Sequence, residues 1–112
     1  MSLKLTKLNR IVEELRKLDS EMQLQTVLAF LIIANKNDQG STVTIKEVGE
    51  LLGVTSASAS RNVAALTKFS RHRREGHDLI ETYENQELRV EKLINLTEKG
   101  KALVTRLENI LE

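Results

Sequence analysis

Residues 44–68, TIKEVGELLGVTSASASRNVAALTK, constrain this chain more than any other stretch. Thr44 and Glu47 have the spacing of a capping box, in which hydroxyl and carboxylate each satisfy a backbone N–H at a helix start. A helix from about Ile45 to Leu52 follows, with Ile45, Val48, Leu51 and Leu52 on the face predicted to be buried. Gly53 is placed to close it, because glycine accepts the left-handed conformation that ends a helix. Val54 packs inward. Thr55 or Ser56 caps a second helix running to about Phe69, with Ala59, Val63 and Leu66 on its inner side. Two short amphipathic helices across a tight turn make a helix-turn-helix.

The flanking sequence builds a domain around that unit. Leu5, Leu8, Val12, Leu15 and Leu18 form a narrow apolar stripe on a helix over residues 3 to 18, and the first four also read as a short heptad seam. Asp19 or Ser20 is placed to cap the next helix, with Gln23 completing a capping box with Ser20. That helix runs to about Asn35, and its run VLAFLIIA is apolar on all faces, as expected at the centre of a domain. Lys36 to Thr42 is a loop turning at Gly40, and Val43 to Ile45 can form a short strand.

After a polar segment at 70–78, LIETYE (79–84) and LRVEKLINL (88–96) read as two strands joined by a turn at NQE. Thr97 caps a last helix with Glu98 in its first turn and an apolar stripe of Leu103, Leu107, Ile110 and Leu111. The expected fold class is mainly α with a small β-hairpin wing: a single winged helix-turn-helix domain over 1–112, in the order α-α-(β)-α-α-β-β-α. Its parts are an N-terminal helix (1–19), the helix-turn-helix (44–68), the wing (79–96) and a C-terminal helix (97–112).

Charge is sorted along the chain. Leu51 to Arg74 contains five basic side chains (Arg61, Lys68, Arg71, Arg73, Arg74) and none of the sixteen acidic ones, although the chain as a whole carries +1. A basic run alone is as readily a solvated face. Combined with a helix-turn-helix it points to double-stranded DNA. The outer side of the second helix carries Ala57, Arg61, Ala64 and Lys68, flanked by Ser58, Ser60 and Ala65. Small side chains let a backbone lie close to a groove floor, and the N-terminal half of such a helix meets base edges. Ser56, Ser58, Ser60 and Arg61 are therefore placed nearest the bases, with arginine able to bind guanine through two hydrogen bonds. Lys68, Arg71, Arg73 and Arg74 are assigned to phosphates, because a loop does not hold a fixed bidentate geometry. The same small residues would also suit close helix packing.

IKEVGELLGVTSASASRNVAALTK and LRVEKLINLTEKGKALV, in that order and spacing, resemble the MarR-type winged-helix regulators. The likeness covers residues 20 to 105. LTEKGKAL at 96–103 is similar to that family's entry into the helix after the wing, and Ser60-Arg61 sits where the family often has Ser-Arg. The resemblance implies that Arg89 is the wing arginine that reaches the minor groove. Leu88 stands where the family usually has an aspartate. Family members commonly have longer terminal helices that build a dimer, and a shorter link than FSRHRREGHD before the wing.

The expected function is a sequence-specific DNA-binding transcriptional regulator, a repressor that occludes a promoter. The expected unit is a homodimer through the N- and C-terminal helices, with Leu5-Leu8-Val12-Leu15 and Leu103-Leu107-Ile110 as the candidate interface; the alternative is that these stripes pack only on each other within one chain. A different reading is a winged-helix protein–protein module of a transcription or replication assembly, with the basic loop 70–77 on an acidic partner. An enzyme is not expected, since no Gly-rich phosphate loop or triad spacing occurs and Glu81, Glu84, Glu87 and Glu91 fall on a solvated hairpin. No cofactor or metal is expected either: the chain lacks cysteine, and His72 and His77 are five apart in a polar loop. Three aromatics (Phe30, Phe69, Tyr83) offer little for a small-molecule effector, so a filled core is expected. The longest apolar run, Val27 to Ala34, is far short of the roughly 20 residues that span a bilayer. With no secretory signal in MSLKLTKLNR, the expected location is the cytoplasm.

Overall fold

The structure is a computed structural model that describes residues 2–68, 75–87 and 91–112. Among the described residues, five helices and three short strands follow one another as α1 (Leu3–Leu18), α2 (Leu24–Asp38), β1 (Val43–Thr44), α3 (Ile45–Leu52), α4 (Ser56–Leu66), β2 (Ile80–Glu84), β3 (Lys92–Leu96) and α5 (Glu98–Leu111). The strands form one antiparallel sheet in the order β1-β3-β2. The wing is therefore more than a hairpin: Val43 and Thr44 pair with Ile94 and Leu93, joining the start of the helix-turn-helix to the wing. Ile80 faces Leu96 and Glu84 faces Lys92 across β2 and β3. The second wing strand, expected from residue 88, is described only from Lys92, because residues 88–90 lie outside the described ones.

Local sequence signals set most helix ends. The Thr44 hydroxyl accepts from the Glu47 N–H while the Glu47 carboxylate accepts from the Thr44 N–H, both at 3.1 Å, completing the capping box. Gly53 closes α3 at φ 71°. Thr55 caps α4 and Thr97 caps α5, each through its hydroxyl. The expected Ser20 cap is not formed. Asp19 instead caps the C-terminus of α1, its carboxylate accepts from the Glu21 N–H at 2.9 Å, and α2 begins at Leu24 after Gln23 with no side-chain cap. The α1–α2 connection uses the polar side chains for its own turn.

α2 also continues past Asn35 to Asp38. The Asn37 carboxamide explains the extension. It accepts from the Leu96 N–H at 3.0 Å and donates to the Ser41 carbonyl at 3.1 Å, standing beside β3 where the two-residue β1 gives out.

The core is Leu15, Ala29, Phe30, Ile33, Val43, Val48, Val63, Leu66, Leu79, Ile80, Ile94, Leu103 and Leu107. Three expectations change here. α2 is not enclosed on all faces, since Leu24 (86% exposed), Leu28 and Leu31 reach the surface. In α5, Leu103, Leu107 and Ile110 are buried within this chain, whereas Leu111 is 58% exposed. Leu51 of α3 is likewise exposed rather than buried. α1 runs alongside α5 in the opposite direction, with Lys7 Nζ donating to the carbonyls of Leu111 (3.2 Å) and Glu112 (2.9 Å) and Glu14 3.6 Å from Arg106. Leu15 reaches the core, but Leu5, Leu8 and Val12 stay exposed.

Candidate nucleic-acid interface

α4 is held against the core by Ala59, Val63 and Leu66, which are buried as the periodicity predicts. A fourth inward residue, Asn62, is also buried. Its side chain accepts from the Thr26 hydroxyl at 2.9 Å and donates to Gln25 Oε1 at 3.3 Å and to the Ser58 carbonyl at 3.0 Å. The Ser58 hydroxyl donates to the same Gln25 oxygen at 3.4 Å. Among the serines assigned to bases, Ser58 is thus turned partly toward α2, while Ser56 is exposed and Ser60 half-buried.

Arg61 is exposed and has no hydrogen-bond or ion-pair partner among the described residues. It lines a cleft of about 510 Å³ beside Ser58 and Asn62, and the other wall of that cleft carries Asp19 and Glu21. The window free of acids in sequence is therefore not free of them in space. The α1–α2 turn returns two carboxylates to one side of α4.

The other side of α4 carries two lysines against one glutamate. Ser60 opens on a cleft of about 540 Å³ shared with Thr44, Lys46 at the start of α3, and Glu91 and Lys92 at the wing. Sequence reasoning passed over Lys46 and Lys92. Each sits beside a glutamate in sequence (Glu47, Glu91), so local charge cancels there. Folding changes the balance: Glu47 is turned into the capping box, while Glu91 stays in the cleft beside Lys92 and is partly engaged with Asn85 at 3.4 Å.

The C-terminal end of α4 is closed by the chain that returns from the basic segment. The N–H groups of Gly76, His77, Asp78 and Leu79 donate to the carbonyls of Lys68, Ala65, Thr67 and Leu66, at 2.8, 3.0, 3.2 and 2.8 Å. These carbonyls have no partner within a helix that is ending. Their capture, with the Thr67 hydroxyl donating to Ala64, stops α4 at Leu66 rather than near Phe69. Gly76 is required by the close approach, since a Cβ there would fall 1.9 Å from the Thr67 carbonyl oxygen. Lys68 is exposed at this end; Arg71, Arg73 and Arg74 follow it but lie outside the described residues, as does Arg89.

His77 links this end of α4 to α1, with its Nε2 3.6 Å from the Asp19 carboxylate. Burial holds the imidazole below its usual pKa and Lys99 adds to that, while Asp19 opposes both.

No family sequence model and no curated protein sequence matches the chain. Solved structures do. The chain is similar to the S. aureus MepR–DNA complex with TM-score 0.74 and 18% identity, over 95% of this chain and 77% of that one. It is similar to RV1404 from Mycobacterium tuberculosis (TM-score 0.71, 18% identity, 96% and 65%) and to a mutant MarR from E. coli complexed with operator DNA (TM-score 0.66, 17% identity, 97% and 68%). At these identities the likeness is one of fold, and the fold is the MarR-type winged helix.

Proposed function

We propose that this protein is a DNA-binding transcriptional regulator that reads duplex sequence through α4 and represses by occluding a promoter. The observation that carries the reading is Arg61, an exposed long cationic donor without a partner among the described residues, in the half of α4 that meets base edges in such motifs. The MepR and MarR structures that share the fold are DNA complexes, which supports the same direction. Ser56 and Ser60 stand near Arg61 for base or phosphate contact. Lys46, Lys92 and Lys68 supply phosphate contacts around it, and Arg71, Arg73, Arg74 and Arg89 are assigned to the backbone and minor groove. Asp19 and Glu21 repel phosphate on one side, so the duplex lies toward the Lys46–Lys92 side.

A homodimer in the cytoplasm is the proposed unit, since paired readers match half-sites about one helical turn apart. Leu5, Leu8 and Val12 of α1 and Leu24, Leu28 and Leu31 of α2 supply its apolar surface; the stripe on α5 is used up within the chain. Selection of bound duplexes from a random pool tests the reading. A consensus should emerge, and Arg61→Ala should cost roughly 1–3 kcal/mol on it and relax the sequence preference. Failure to bind any duplex at low salt would instead favour the protein–protein module.

A further inference from the structure

If α4 reads DNA as proposed above, its orientation about its own axis must be fixed. Its apolar anchors, Ala59, Val63 and Leu66, hold it by burial, which sets the inward face but fixes the angle about the helix axis only coarsely. Ala59 packs closely against Gly49 of α3, where an added Cβ would lie 3.0 Å from its own, but it has no long side chain to key the rotation of the N-terminal half. A rotation of about 20° would move a guanidinium roughly 8 Å from the axis by about 3 Å, a full hydrogen-bond length. Bidentate base recognition does not survive that displacement.

We propose that Asn62 is a positioning residue whose bonds to Thr26 and Gln25 set the rotation of α4, and so the base pairs that Arg61 reads. Asn62 is 6% exposed and Thr26 5%, so both groups have left water and depend on each other. Every polar group of the Asn62 carboxamide is used: the oxygen by Thr26, the two N–H donors by Gln25 and the Ser58 carbonyl. Hydrogen bonds are directional where apolar contacts are not. The clamp grips the first turn of α2 and meets α4 at Ser58 and Asn62, the two positions that flank Arg61 in the chain. Gln25 also holds the Ser58 hydroxyl, so one carboxamide oxygen aligns two positions one turn apart. A buried polar contact can select one register among similar apolar packings, as a single buried asparagine does in coiled coils.

The test uses the full chain, the duplex recovered by selection and a permuted duplex of equal length and composition. Replacing both partners by apolar groups of similar shape is close to neutral for folding, so Thr26→Val/Asn62→Leu should give a native-like amide NMR spectrum. Its preference for the selected duplex should fall roughly tenfold while its affinity for the permuted duplex stays within about twofold. Thr26→Ser, which keeps the hydroxyl, should retain the wild-type preference. A folded double variant with undiminished preference overturns the clamp, as does an equal loss on both duplexes. Should the double variant not fold, Thr26→Val against Thr26→Ser carries the same comparison with the same readings. A wild-type protein with no preference between the duplexes overturns the DNA-reading proposal itself, and the clamp falls with it.

Discussion

The two terminal helices carry nearly the same sequence signal and meet opposite fates. α1 presents Leu5, Leu8, Val12 and Leu15; α5 presents Leu103, Leu107 and Ile110. In α5 these three are all buried, with Leu103 fully inaccessible, and only Leu111 beside them is exposed. In α1 only Leu15 reaches the core, and Leu8 is 55% exposed. The difference is one of position. α5 leaves directly from the central strand β3 and lies over the core from its first turns, whereas α1 meets the domain mainly through its C-terminal half. Periodicity tells which side of a helix is apolar; it does not tell whether anything in the same chain covers that side.

The comparison breaks most readily at Leu103. Leu103→Ala should lower the free energy of unfolding by about 2–5 kcal/mol, the cost of lost burial plus a cavity, read from urea denaturation at low protein concentration. A loss near zero would mean that α5 is not anchored as described. The neighbours Ile110 and Leu111 give a sharper contrast. Ile110→Ser should cost on the order of 2 kcal/mol and Leu111→Ser no more than about 0.5 kcal/mol. Equal costs would erase the difference between the two faces of α5. Lys7→Ala removes the cation that holds the α5 C-terminal carbonyls and should cost roughly 0.3–1 kcal/mol, less at high salt. Leu8→Lys/Val12→Lys should leave monomer stability within about 0.5 kcal/mol but lower the mass found by sedimentation. Unchanged mass would remove the α1 surface from the dimer.

The smallest effect concerns the end of α1, where Asp19 meets His77. The folded state holds His77 below its usual pKa of 6.5, so the unfolded chain binds that proton more readily. The stabilisation is complete above about pH 6.5 and is lost as the pH falls through the lowered folded value. His77→Gln should flatten the fall in Tm on acidification below that point. A fall of the same steepness would assign the pH response to other groups.

Much of the fold was legible because its signals are local. The Thr44–Glu47 box, the turn at Gly53 and the caps at Thr55 and Thr97 act within a few residues, and each forms as its spacing predicts. Ser20 shows where local spacing fails: Asp19 is drawn into the α1–α2 turn and the rival cap is never made. The candidate site was legible at Arg61, by helix phase alone. It was not legible at Lys46 and Lys92, which only the pairing of β1 with β3 brings beside α4. Nor was it legible at Asn62, whose partners lie 36 and 37 residues earlier.

By itself, then, the sequence determined where α3, α4 and α5 begin, which face of each amphipathic helix is apolar, and that one arginine projects from the outer side of α4. Those are consequences of backbone capping and of 3.6-residue periodicity, which neighbours along the chain enforce. Tertiary structure decided where α4 stops, what sets its rotation, which carboxylates and lysines share its two clefts, and which terminal helix keeps an open apolar face. Each of those depends on groups distant in sequence meeting in space, and only the packed chain supplies the partner.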